Sequence, residues 1–380
     1  MASRFARLNS RVVTAILLVA LPVLIAGAAV VIGIGQNRLT QAESIRLGQI
    51  AEYTAAAVDA YVYRRILDAA ILGRVPDVRE AAAGGSSVPS DPARLAELEK
   101  AWHKDRAAAI GSLGILNTPA SRFLAELVKN DSVYREVLVT DRQGRLVAAS
   151  NATTDFDQSD ETWWLNAFDE GRGRISVTDV RRDESAHVYA FDIAVPVLRP
   201  DDSGVAGVMK IVADSREMLA GIAGLELGAT SEAMLVRADG TIVFSRRPYS
   251  EGDRFFAAGQ LQTQMNERAS RKEVFDTVSY EAQTSDGARR IVAVAPSQLS
   301  RSYPELGWLM AVSMDVDELT APFRSLVWYL ILVVGLTGLA VLAIALWFSL
   351  RLASPTIDPA YDMHLVEHPR IPHMEDAEAP

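Results

Sequence analysis

The spacing of apolar and polar positions divides the chain into three regimes. Two runs, Val12 to Gly35 and Leu326 to Leu350, contain no charged residue and have no polar face. A helix crosses a bilayer core in about 20 apolar residues, and in lipid its backbone satisfies its own hydrogen bonds. Each run therefore predicts a spanning helix. From Leu39 to about Glu80 the period is helical and amphipathic. Ile50, Tyr53, Ala57, Ala60, Tyr61, Leu67 and Ile71 recur at three- and four-residue spacing and predict one long helix with an apolar stripe. That stripe can pack on the chain's own domain or on a second copy of itself. The segment Gly84-Gly-Ser-Ser-Val-Pro-Ser90 reads as a loop. Helical patterns return from Pro92 to about Leu113 and from Ser121 to Asn130.

At Tyr134 the period drops to two. Arg135–Thr140 and Arg145–Ala149 predict strands around the turn Asp141-Arg-Gln-Gly144. A short helix is expected from Thr162 to Glu170, then strands at Arg174–Val180, His187–Val197 and Val205–Val212. This makes one small α+β unit. The pattern then restarts. Ala233-Met-Leu-Val-Arg-Ala-Asp-Gly-Thr-Ile-Val-Phe244 repeats the strand, Asp-Gly turn and strand, and Arg289–Ala295 and Trp308–Met314 read as closing strands. The repeat is one of architecture, so two stacked domains are expected on one helical stalk.

Charge adds orientation. Arg4, Arg7 and Arg11 precede the first run with no acidic residue among them, which places the N-terminus in the cytoplasm. Two spans then return the tail to the cytoplasm and leave residues 36–324 outside a bacterial inner membrane. The rival reading is a cleaved signal peptide, favoured by the Ala-Gly-Ala-Ala stretch and opposed by the length of the apolar run. The chain has 380 residues, net charge −10 and no cysteine. The outside region therefore uses no disulfide and rests on apolar cores. The acidic balance argues against nucleic acid as a partner. The sequons at Asn130 and Asn151 matter only in a eukaryotic secretory pathway.

The parts in this order resemble the double Cache sensor region of bacterial chemoreceptors, histidine kinases and cyclases. The resembling residues are Glu136-Val-Leu-Val-Thr-Asp-Arg-Gln-Gly-Arg-Leu-Val147, the Trp163-Trp164 helix with Gly171-Arg-Gly-Arg-Ile-Ser176, and Ala194-Val-Pro-Val197 with Gly204-Val-Ala-Gly-Val208. The resemblance implies an α+β fold of two stacked PAS-like Cache domains on a long N-terminal helix, flanked by two transmembrane helices. The expected segments are a cytoplasmic N-terminus (1–11), span one (12–35), a stalk and helical region (36–133), a membrane-distal domain (134–224), a membrane-proximal domain (225–324), span two (325–350) and a cytoplasmic Pro-rich tail (351–380).

The resemblance also implies a small-molecule ligand held in the distal domain. Where the amino-acid-binding branch has Arg-x-Trp-Tyr, this chain has Glu161-Thr-Trp163-Trp164, and Met209 or Lys210 stands where that branch has an acid. Both charges are changed, and the aromatic pair suits a flat or cationic ligand. The candidate ligand-binding residues are Glu161, Trp163, Trp164, Asp179, Tyr189, Asp192 and Lys210. Either Trp can instead be core. Lys210 shares a strand face with Val208 and Val212. It can meet an anionic ligand, pair with Asp179, Asp183, Glu184 or Asp192, or point to solvent. Tyr189 and Asp192 fall on opposite faces of their strand.

No catalytic set, cofactor motif or metal site is expected. His364-Leu-Val-Glu-His368 spells an inverted zinc-peptidase motif, but Pro359, Pro369 and Pro372 crowd it and no cleft follows. Weak adventitious metal binding by His364, His368 and His373 is the better expectation. Arg351-Leu-Ala-Ser-Pro355 resembles the opening of a HAMP relay helix, with no second helix and no output domain after it. The sequence thus predicts an extracytoplasmic small-molecule sensor, not an enzyme. It is expected to be homodimeric along the Leu39–Arg79 helix; either a separate protein such as a kinase or cyclase receives the signal, or the chain is a shortened receptor that only binds. A structural or docking protein is the alternative.

Overall fold

The computed structural model describes residues 2–88, 91–183 and 188–351. The chain divides into two compact units, residues 38–321, and residues 1–37 with 322–380. The charge-free runs lie in helices α1 (Ala2–Leu72) and α10 (Val316–Arg351), both long and apolar enough to cross a membrane. The tail motif at His364 lies outside the described residues.

Within residues 38–321, α1 buries Leu47, Ala51, Ala55, Val58, Val62, Ile66 and Ala69. Their spacing of three and four makes one continuous stripe. It is not the predicted one: Tyr53, Ala57, Ala60, Leu67 and Ile71 are exposed, and Tyr61 is half-buried. Both stripes have the same period, so periodicity alone does not choose between them. The predicted single helix to Glu80 is broken at Gly73–Val75, and α2 (Pro76–Gly84) starts with proline at its first turn. Proline lacks the amide that would continue α1, and it disfavours helix at the residue before it. The helix predicted from Pro92 to Leu113 is likewise two, α3 (Pro92–Lys104) and α4 (Arg106–Ser112). Asp105 stops the first and caps the second, its carboxylate accepting from the Ala108 amide at 3.0 Å. Then comes α5 (Pro119–Asn130), capped by Thr118.

The first sheet contains β1 (Tyr134–Thr140), β2 (Leu146–Ala149), β3 (Ser176–Val177), β4 (Arg181–Asp183), β5 (Val188–Leu198) and β6 (Val205–Asp214). Helix α6 (Thr162–Phe168) precedes β3, and α7 (Arg216–Ala223) follows β6. The order is β2-β1-β6-β5-β3, with β4 also paired to β5. The second sheet contains β7 (Glu232–Arg237), β8 (Ile242–Ser245), β9 (Val278–Gln283), β10 (Arg289–Pro296) and β11 (Trp308–Asp315), in the order β8-β7-β11-β10-β9. Helices α8 (Ala258–Ser270) and α9 (Leu299–Ser302) interrupt it. All the pairings are antiparallel. The two sheets share one strand order, as the repeat in the sequence predicts.

The inner faces of both sheets pack with the α1 stripe in one core, including Val137, Phe191, Ile211, Leu235, Ile291 and Val312. Each such side chain, fully buried, contributes about 1.5–3 kcal/mol. The outer faces have separate clusters, one around Trp102, Phe156, Trp163 and Trp164 and one around Phe255, Leu261, Val292 and Leu309. Gly207 lets β6 approach β1: a Cβ there would lie 1.8 Å from the Thr140 carbonyl oxygen.

Candidate ligand site

Strand parity sorts the candidates. On β6, Met209 and Ile211 belong to the inner core, so Lys210 falls on the outer face with Val208. Lys210 lies opposite Leu138 of β1 and Ala194 of β5. Asp192 is two residues from Ala194 on the same face of β5, opposite Val212. Such diagonal neighbours have Cβ atoms about 7–8 Å apart. Helix α6 buries Trp163 and Trp164 against this face.

The two Trp residues differ. Trp164 stacks on Phe168 at 4.7 Å between centroids, and its Nε1 donates to the Thr140 hydroxyl at 2.9 Å. Every polar demand of Trp164 is met by the core. Trp163 instead lies with its ring centroid 4.8 Å from Lys210 Nζ, a contact worth roughly 0.5–2 kcal/mol. Its Nε1 is buried with no hydrogen-bond partner among the described residues. Lys210 has no ion pair or hydrogen bond among the described residues. Asp192 is 1% exposed. Its Oδ2 accepts from Arg181 at 2.7 Å, while Oδ1 is buried with no hydrogen-bond partner among the described residues. A buried polar atom without a partner costs about 1–3 kcal/mol. One sheet face thus presents an ammonium, an indole N–H and a carboxylate oxygen with unused bonding capacity. A small molecule with an acidic or acceptor end and a donor end complements them.

The other candidates lie elsewhere. Glu161 is exposed at the start of α6 and makes no capping bond. Tyr189 stands edge-on to Phe244 of β8, 5.8 Å away. Asp179 is held by the second domain: its Oδ1 accepts from Trp308 Nε1 at 2.8 Å, and its Oδ2 pairs with Arg237. Here the predicted strand Arg174–Val180 shrinks to Ser176–Val177, because the chain turns out at Asp179 to meet the other sheet. Glu184 lies outside the described residues. Arg181 was missed by sequence reasoning, although its place opposite β5 makes it the partner of Asp192.

At the end of β6, Asp214 accepts from Arg135 Nε at 3.0 Å and from Arg216 Nε at 2.8 Å. Burial works to raise this carboxyl, but the hydrogen bonds of the two guanidiniums and the Arg216 amide hold it below the ordinary aspartate range.

A family model described as Cache domain matches residues 35–323. Among solved structures, the ligand-binding domain of the Pseudomonas aeruginosa PAO1 amino-acid chemoreceptor PctC, in complex with GABA, is 16% identical. That match covers 72% of this chain and 100% of that one, with a TM-score of 0.47. The sensory domain of the Campylobacter jejuni chemoreceptor Tlp3 is 12% identical over 75% of this chain and 98% of that one, with a TM-score of 0.47. The Vibrio cholerae histidine kinase DctB sensor domain is 14% identical over 72% and 98%, with a TM-score of 0.45. No curated protein sequence matches the chain.

Proposed function

We propose that this chain, which belongs to the Cache-domain family, is a two-span membrane sensor that binds one small molecule on the outer face of its distal sheet. The observation that carries this reading is the convergence of Lys210, Trp163 Nε1 and Asp192 Oδ1 on one face without hydrogen-bond partners among the described residues. Lys210 and the indole N–H receive the anionic or acceptor end of the ligand, and Asp192 receives its donor end. Arg181 holds Asp192 in place. Trp164 supports Trp163 from the core.

In this reading the apolar stretches of α1 and α10 anchor the protein in an inner membrane, with the Cache domains outside and both ends of the chain in the cytoplasm. The arginines before the first span favour that topology. The exposed Tyr53, Ala57, Ala60, Leu67 and Ile71 form an outward stripe of coiled-coil spacing, with small residues at its centre. This stripe favours a parallel homodimer along α1. Tyr61 is outside that seam, since its hydroxyl donates to the Asp214 carbonyl at 2.7 Å.

The deciding experiment is a thermal-shift screen of the full chain in detergent against small carboxylates, amines and zwitterions. A compound should stabilise the wild type and fail to stabilise K210A or W163A. If nothing shifts the wild type, the ligand reading is wrong. Single cysteines at Tyr53, Ala57 and Leu67 should crosslink between copies on oxidation in membranes.

A further inference from the structure

Outside the ligand face, α3 places Glu99 and His103 four residues apart, on one side of the helix. Asp155, on the loop after β2, comes to the same spot. One ligand atom of each of the three residues lies within 4.8 Å of the other two, and His103 Nε2 is 3.8 Å from Asp155 Oδ1. A tetrahedral ion with bonds of about 2.0–2.2 Å needs its donors roughly 3.4 Å apart, so a small inward movement of side chains closes the set.

The donors are brought together by contacts that do not involve an ion. Trp102, fully buried on α3, donates from Nε1 to the Thr153 carbonyl at 3.0 Å. The Thr153 hydroxyl and Gln158 Nε2 both donate to the Asp155 carbonyl. Glu99 Oε1 accepts from the Asp157 amide at 2.7 Å. Two carboxylates are therefore held close together, with the His103 imidazole beside them.

We propose that Glu99, His103 and Asp155 form a site for a divalent transition-metal ion of the zinc type, with solvent completing the coordination. The imidazole selects such an ion over calcium or magnesium, which take oxygen ligands. The bound ion pins α3 to the 153–157 loop. Trp102 and Phe156 on those segments pack in the same cluster as Trp163, so the ion stiffens one wall of the ligand face.

The test is calorimetric titration of chelator-stripped full-length protein in detergent with zinc chloride. The protein carries H364A, H368A and H373A so that tail imidazoles contribute nothing. One ion per chain should bind, and H103A and D155N should each weaken binding at least tenfold. Cobalt should give a visible d–d band that H103A abolishes. Absence of a saturable one-to-one site, or an isotherm unchanged in both variants, overturns the proposal.

Discussion

The two domains share a sheet order but not an outer face. Both sheets end in an aspartate that opens a helix: Asp214 lies opposite Ala190, and Asp315 opposite Arg290. Counting back from these, Lys210 corresponds to Ala311, and Asp192 to Val292. The proximal positions belong to a dry apolar cluster with Phe255 and Leu261. The corresponding distal positions hold two charges and an unpartnered indole N–H. One face gains stability from its outer layer and the other leaves bonding capacity unspent. Repeating an architecture does not repeat its chemistry, since the change needs only two side chains on a conserved ladder.

Substitutions that move each face toward the other sharpen the contrast. The largest loss is expected from L261A, since Leu261 is fully buried in the proximal cluster. About 2–5 kcal/mol should disappear in urea unfolding, with ligand affinity unchanged. D179N comes next. It weakens the Arg237 pairing and leaves the Trp308 indole N–H with a neutral acceptor, so about 1–3 kcal/mol should go, and one unfolding transition should separate into two.

Acid should act through Asp214. Its folded pKa lies below the unfolded value of about 3.9. The stability it contributes is therefore complete above that value and is lost as pH falls through the folded pKa. D214N should be less stable at neutral pH and show a flatter acid limb in a thermal-shift series. K210M should have the smallest effect on folding, roughly 0.5–2 kcal/mol, because it removes only the contact with the Trp163 ring. Yet it should weaken the ligand at least tenfold, or about 1.4 kcal/mol. Equal affinity in K210M and wild type would erase the difference between the two faces.

Much of this was legible in the chain. The hairpin at Asp141, the restart at Ala233 and the face that Lys210 shares with Val208 all follow from a period of two, because side-chain direction in a strand is set locally. The choice between Trp163 and Trp164 was not legible. It depends on Thr140 and Phe168, which reach Trp164 only after β1 and α6 are packed. Asp179 was placed with the ligand residues because it is close in sequence, while its partners Arg237 and Trp308 come from another domain. Helix α8 was missed because it buries little beyond Ala258 and Leu261, leaving a weak stripe. The buried face of α1 was not legible because two stripes of equal period run along one helix.

Strand β11 has a mechanical consequence. At its first residue, Trp308 donates to Asp179. The neighbouring Thr178 amide donates to the carbonyl of Asp192 at 2.9 Å. At its last residue, the Asp315 amide donates to the Thr230 hydroxyl, and the chain enters α10 at once. One turn on, Glu318 accepts from the amides of Ala229 and Thr230 at 2.6 and 2.8 Å. Eight residues of strand span about 26 Å, and ladders to β7 and β10 on both edges keep them from stretching or shearing. β11 is thus a tie rod without slack, so that a tug on the carbonyl of Asp192 is delivered along its axis to the root of α10.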